Sequence, residues 1–281
     1  MRSASRNLRG TSISEIGRTR PTTHKLPEIT AFFWMMKILA TTLGETGGDL
    51  LAQTLKVGYV VSSAIFVAAL LISVVAQIGS RRFRPALYWA VIVFTCTAGT
   101  TMSDYLNRGF GGATSDAPQY ARGALILVAC LIAVFVVWAL SGTTFNVEHI
   151  TTTGGELLYW TAILFSNTLG TSFGDWLADT SGLGFGGSAL VIIAIMAVIL
   201  GLHYRTRVSK TVLFWLAFVL TRPLGATVGD LFTKPVAKGG LNLGTLGSSI
   251  VLTSILAAGV VWSLWQRQAT SIDTAQASVA S

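Results

Sequence analysis

Asp49, Asp104, Asp175 and Asp230 occupy one register in four similar apolar stretches, each fifteen residues after a tryptophan (Trp34, Trp89, Trp160, Trp215). A glycine stands ten residues after each tryptophan, at Gly44, Gly99, Gly170 and Gly225. The stretches read FFWMMKILATTLGETGGDLL, LYWAVIVFTCTAGTTMSDYL, LYWTAILFSNTLGTSFGDWL and LFWLAFVLTRPLGATVGDLF. Hydroxyls accompany the acids: Thr42, Thr97 and Thr168 eight residues after the tryptophan, and Thr46, Thr101, Ser172 and Thr227 twelve after it. On a helix turning 100° per residue, positions 8, 12 and 15 share about 60° of arc. Each copy therefore presents an oxygen-rich stripe ending in a carboxylate, which suits hard cations such as Mg²⁺ or Mn²⁺, or protons.

Some residues break the equivalence of the copies. Glu45 stands one turn before Asp49, and two carboxylates that close suit proton exchange or cation binding. The pair Glu45 and Asp49 is the candidate metal-binding pair. Arg222 lies deep in the fourth copy as a candidate counter-ion, followed by Pro223, which removes a backbone hydrogen bond and is expected to kink the helix. Cys96, Asn167 and Thr41 occupy the layer of Arg222, seven residues after their tryptophans. Lys37 is expected to snorkel to the interface. Positions 10 and 14 form a second stripe (Gly44/Gly48, Gly99/Ser103, Gly170/Gly174, Gly225/Gly229), about 130° from the polar one on the helical wheel. This small-xxx-small spacing lets helix backbones approach closely.

These residues must be positioned by membrane helices. Of 281 residues, 52% are apolar and 11% charged, and the mean hydropathy is +0.63; soluble domains carry about a quarter charged residues. Apolar runs long enough to cross about 30 Å of hydrocarbon recur along the chain. The sequence predicts eight helices near 28–53, 57–78, 86–107, 121–140, 156–178, 188–204, 211–233 and 244–265. The expected fold is all-α, a polytopic membrane protein of about eight transmembrane helices. It is built from four parallel helical-hairpin repeats, related by an axis near the membrane normal. The segments are a polar tail 1–26, repeats over 27–80, 81–141, 142–204 and 205–265, and a polar tail 266–281.

Orientation follows from basic residues. Arg81, Arg82 and Arg84, then Arg205, Arg207 and Lys210, flank loops on the side of the basic N-terminal tail. The positive-inside rule puts both termini in the cytoplasm and the tryptophans near that interface. The opposite loops are glycine-rich, with GFGG at 109–112 and 184–187 and KGGLNLG at 238–244.

The net charge of +8 lies in tails and loops, without the basic, aromatic-interleaved stripe that nucleic-acid binding requires. His24, His149 and His203 share no ligand-like spacing, and Cys96 and Cys130 sit in apolar runs, so neither a zinc-type site nor a disulfide is expected. The stretches before the aspartates read TGGD, TMSD, SFGD and TVGD. All lack the first glycine of the GxGD associated with intramembrane aspartyl proteases, and no enzyme activity or cofactor is expected.

The segment PEITAFFWMMKILATTLGETGGDLL and its three echoes resemble a bacterial family of repeat-containing integral membrane proteins, known mainly as uncharacterised membrane-anchored proteins. The resemblance covers roughly residues 27–265. It implies a tandem-repeat membrane architecture, and no catalytic residues are carried over from it. The fourth repeat departs from the pattern, with Arg222–Pro223 where the first has Thr41–Thr42.

The function expected is transport or export of a small cation across the bacterial inner membrane. Asp49, Glu45, Asp104, Asp175 and Asp230, with Thr42, Thr97, Thr168 and Arg222, line the path. The alternative is a non-transporting scaffold or sensor whose polar stripes only join helices. The partners expected are the lipid bilayer and a small cation or proton, with a homo-oligomer left open.

Overall fold

The structure is a computed structural model that describes residues 29–80, 83–109, 117–145, 150 and 152–280. The 1–26 tail, Arg81, Arg82, His24, His149 and the glycine loop beyond Gly109 lie outside the described residues. Among these residues eight long helices run in chain order: α1 Ala31–Asp49, α2 Tyr59–Gly79, α3 Pro85–Asp104, α4 Ala117–Leu140, α5 Thr153–Thr180, α6 Gly184–Arg205, α7 Lys210–Thr233 and α8 Thr245–Ala280. No strand occurs among the described residues. The sequence supplies the start signals. The Thr30 and Thr152 hydroxyls accept from Phe33 N–H and Gly155 N–H, and Pro85 opens α3, where its missing N–H costs nothing.

Helix ends depart from the prediction in three places. Immediately after Asp49 and Asp104 the backbone widens into π-helical turns, Leu50–Thr54 and Tyr105–Gly109. Beyond the first of these the chain reverses at Gly58, whose φ of +83° suits a residue without Cβ. α7 continues as one helix across Pro223, and α8 extends to Ala280 through the residues read as a polar tail.

The repeats close into two concentric layers. α1 packs on α3, α3 on α5, α5 on α7, and α7 returns to α1, so the four Asp-bearing helices form a ring. The even helices lie outside, each mainly on the odd helix of the following repeat: α2 on α3, α4 on α5, α6 on α7 and α8 on α1. Each repeat thus covers its neighbour, and the fourth closes on the first.

Among the described residues, six helices are long and apolar enough to span a membrane: α2, α3, α4, α6, α7 and the first part of α8. The spans in α3 and α7 are 67% buried, against 17–28% for the four outer ones. α1 and α5 carry three charged side chains each and fall short on composition. As ring members they are shielded by the outer layer, which is where intramembrane charge is tolerated. The chain is a membrane-spanning helical repeat protein.

Candidate ion site

The ring is built by glycine against side chain, in one direction around the circle. A Cβ placed on Gly44 would come within 2.2 Å of Cys96 Cβ, and one on Gly225 within 2.5 Å of Thr41 Cβ. Gly99 abuts Asn167 and Gly170 abuts Arg222 in the same way. Position 10 of each repeat therefore receives position 7 of the next. One turn on, Gly48 meets Thr100, Gly174 meets Ala226 and Gly229 meets Glu45, all at position 11 of the following helix. At the second seam Ser103 and Ser172 share a hydrogen bond of 2.7 Å instead. Because both contacts advance together by four residues, the four helices run parallel.

This register turns positions 3, 7 and 11 inward. Lys37, Ile92, Ile163 and Phe218 form one buried layer, and Thr41, Cys96, Asn167 and Arg222 the next. Glu45, Thr100, Thr171 and Ala226 form the third. Arg222 crosses the interior of the ring. Its guanidinium donates to Glu45 Oε2 at 2.9 Å, to the Thr41 carbonyl at 3.3 Å, and to the Thr100 hydroxyl and Cys96 carbonyl of α3 on the opposite side. Thr100 also bonds the Gly44 carbonyl and Glu45.

Above Glu45, towards the Asp end, the carboxylates converge. One oxygen from each of Glu45, Asp49 and Asp230 lies within 4.8 Å of the other two, and all three residues are buried. The ammonium of Lys234, just past the end of α7, lies 2.5 Å from Asp49 Oδ2 and 3.1 Å from Asp230 Oδ1. Gln53, in the first π-helical turn, donates to the other Asp49 oxygen. Burial pulls the Lys234 ammonium down, but Asp230 and Asp49 more than reverse that and hold it well above the ordinary lysine range. Three carboxylates and a partly exposed ammonium at one seam make a site where a metal cation could replace an organic one.

The other predicted residues lie elsewhere in the ring. Asp104 and Asp175 are buried, but among the described residues they belong to no group of three potential ligands. Near them, Ser103, Ser172 and Asn107 form a hydrogen-bonded knot, Asn107 donating to both hydroxyls at 3.2 and 3.0 Å. Thr42, Thr97 and Thr168 donate to carbonyls of their own helices, at Ile38, Val93 and Leu164. Thr46 and Thr101 do the same. Their oxygens are spent on backbone, a common fate of Ser and Thr in a helix.

One expectation is corrected. Lys37 does not snorkel; it has no solvent exposure and its ammonium stands 4.1 Å from the Phe218 ring centre. The repeat tryptophans share one end of the ring, with Trp34 half-buried. Trp89, Trp160 and Trp215 are buried against Tyr88, Tyr159 and Phe218 in an aromatic layer. In that layer the Tyr88 and Tyr159 hydroxyls pair at 3.1 Å. Lys234 and Gln53 escaped the sequence reading because neither recurs across the copies; a lysine four residues after Asp230 was the available signal. A separate apolar groove of about 840 Å³ lies between α1, α6 and α7 and has no carboxylate in its lining.

No curated protein and no solved structure matches this chain. A family model does, in four consecutive segments, residues 32–83, 87–144, 158–209 and 213–269. Each segment begins within two residues of one of the four tryptophans and takes in one Asp-bearing helix with the outer helix that follows it. With four tandem copies covering most of its length, the chain belongs to the Repeat of Unknown Function (DUF347) family.

Proposed function

We propose that this protein carries a small divalent cation across a bacterial inner membrane, with both termini in the cytoplasm, and that Glu45, Asp49 and Asp230 bind the ion. The observation that carries this reading is the group of three buried carboxylates within 4.8 Å of one another. Buried anions that close persist only beside cations. Arg222 and Lys234 fill that role, and they differ in kind. Arg222 has no exposure and is fixed by four acceptors; the Lys234 side chain is 19% exposed on a flexible stem. An arriving ion displaces Lys234, not Arg222. Hard oxygen ligands favour Mg²⁺ or Mn²⁺.

The test is Mn²⁺ flux in proteoliposomes, comparing wild type with Asp49→Asn and Asp230→Asn, alongside Mn²⁺-dependent thermal stabilisation in detergent. Wild-type flux and stabilisation that both variants lose by about tenfold or more support the reading. A folded wild type with neither property sinks it.

A scaffold role is favoured by the Thr42, Thr97 and Thr168 hydroxyls, which bond carbonyls of their own helices. It predicts that Asp49→Asn lowers stability equally with and without Mn²⁺.

A further inference from the structure

The groove between α1, α6 and α7 takes no part in the ion site. Its volume of about 840 Å³ falls in the range of about 300–1,000 Å³ typical of small-molecule sites. It lies over the α7–α1 seam, where the fourth repeat closes on the first. The floor is buried at Ile199, Leu213, Phe214 and Leu224, and the rim is open, with Ile193 and Leu200 exposed.

Depth and direction identify what surrounds it. On α7 the lining runs from Lys210 to Leu224, and on α6 from Tyr204 back to Ile193. At about 1.5 Å per residue, the apolar stretch Leu213 to Leu224 is about 16 Å long, close to half of a hydrocarbon core of roughly 30 Å. The groove therefore starts at the tryptophan end of the ring and is as deep as one leaflet. Because α6 belongs to the outer layer, the open rim faces the acyl chains of that leaflet.

The two ends differ in chemistry. The deep end is closed by Ile38, Met196 and Leu224, whereas the mouth carries His203, Tyr204 and Lys210. Arg205 ends α6 and Arg207 follows in the connection to α7. Tyr204 is exposed and Trp34 half-buried, amphipathic rings of the kind that settle at headgroup level. Among the described residues no carboxylate pairs with Lys210, Arg205 or Arg207. The chain has no Asp or Glu between Asp179 and Asp230, and on the α1 side Glu28 lies outside the described residues. Cations without a counter-ion, above an apolar trench one leaflet deep, complement a molecule with an anionic head and an acyl chain. Free phosphate would leave the trench unfilled, and a zwitterionic lipid would set a further ammonium beside the cations.

We propose that this groove binds one anionic phospholipid from the leaflet at the tryptophan end. Its acyl chain lies against Phe214 and Leu224, and its phosphate meets Lys210 with Arg205 and Arg207. The lipid touches α1 on one side and α6 and α7 on the other, so it spans the joint between the last repeat and the first and holds the ring closed. This site is independent of the carboxylate site and of its reading as an ion path.

The experiment titrates lipid-stripped protein in neutral detergent with dioleoyl phosphatidylglycerol or dioleoyl phosphatidylcholine. Native mass spectrometry counts the bound lipids, and melting temperatures are read in parallel. Wild type is expected to hold one phosphatidylglycerol at least about tenfold more tightly than phosphatidylcholine, and to melt higher with it. Ala197→Phe fills the trench from its exposed wall and Ala217→Phe from its floor; both should weaken that lipid by about tenfold or more. Ala194→Phe, exposed on α6 but outside the lining, should not. The triple variant Lys210→Ser/Arg205→Ser/Arg207→Ser should bind the two lipids alike. Ala197 is exposed, so its variant keeps the test decisive if Ala217→Phe fails to fold. Equal affinity of wild type for both lipids, or binding that Ala197→Phe leaves unchanged, marks ordinary boundary lipid and overturns the proposal. Displacement by inorganic phosphate at matched ionic strength also overturns it, since the mouth would then be an anion site without a chain. No bound lipid on folded wild type overturns it as well and leaves the groove to the amino-terminal segment or a second copy.

Discussion

The guanidinium of Arg222 meets the Glu45 carboxylate at 2.9 Å inside the ring, from a side chain with no solvent exposure. The two residues are 177 positions apart, and their pairing fastens the last repeat to the first. Gly225 on Thr41 and Gly229 on Glu45 form the same joint at the backbone. A head-to-tail series of interfaces grows open-ended unless its rotation closes; here the α7–α1 contact closes it.

Breaking that pair is expected to cost more than removing it. Arg222→Met strands a buried carboxylate and should destabilise the protein by about 3–5 kcal/mol. The double variant Arg222→Met/Glu45→Gln should recover a large part of that loss. Thermal melting of the two single variants and the double variant checks this; additive losses would show that the pair is not coupled.

Glycine seams predict a sharp positional contrast. Gly44→Ala and Gly225→Ala place a methyl within 2.2 and 2.5 Å of the next helix and should cost about 1–3 kcal/mol each through overpacking. Gly201→Ala, with nothing within 4 Å of its Cβ, should be neutral or slightly stabilising, since alanine favours helix by about 1 kcal/mol. Melting temperatures of the three proteins side by side decide it.

Lys234→Ala removes the ammonium that occupies the space between Asp49 and Asp230. The metal-free protein should melt lower, and Mn²⁺ should bind roughly tenfold tighter because its internal competitor is gone. Calorimetric titration reads the affinity; weaker binding would make Lys234 a support of the site and not a competitor.

The same lysine sets a pH expectation. Its folded-state pKa is raised by Asp230 and Asp49 acting against burial. A group raised in this way contributes stability that is fully present below its unfolded value, about 10.4, and lost only above it. The difference in melting temperature between wild type and Lys234→Ala in metal-free buffer should therefore stay constant between about pH 7 and 9. A difference that shrinks across that range contradicts the placement of Lys234.

Ser172→Ala removes one hydroxyl from the Ser103–Ser172–Asn107 knot. It should cost about 1–2 kcal/mol and leave Mn²⁺ binding unchanged, because the knot sits at a different seam from the three carboxylates. A loss of binding would mean that the two seams share one site.

The period of the sequence determined the helices, their number and their parallel direction. Apolar runs of membrane length, a fixed Trp–Gly–Asp register and an even number of spans per copy are local features. The glycines at positions 10 and 14 also announced where backbones approach. The sequence alone did not determine which way each helix faces. Polar and glycine stripes were read as two faces, oxygens inward and glycines to the seams. The inward direction falls between them, at positions 3, 7 and 11, because each glycine receives the side of the next helix and turns the ring by that offset. Thr42, Thr97 and Thr168 are consequently rotated onto their own backbones, while Glu45 and Arg222 meet inside. Sequence repetition set the four aspartates in one register, and the three grouped carboxylates all come from the α7–α1 seam with Lys234 across them. That asymmetry arises where the last repeat closes on the first, a long-range contact that no local period encodes.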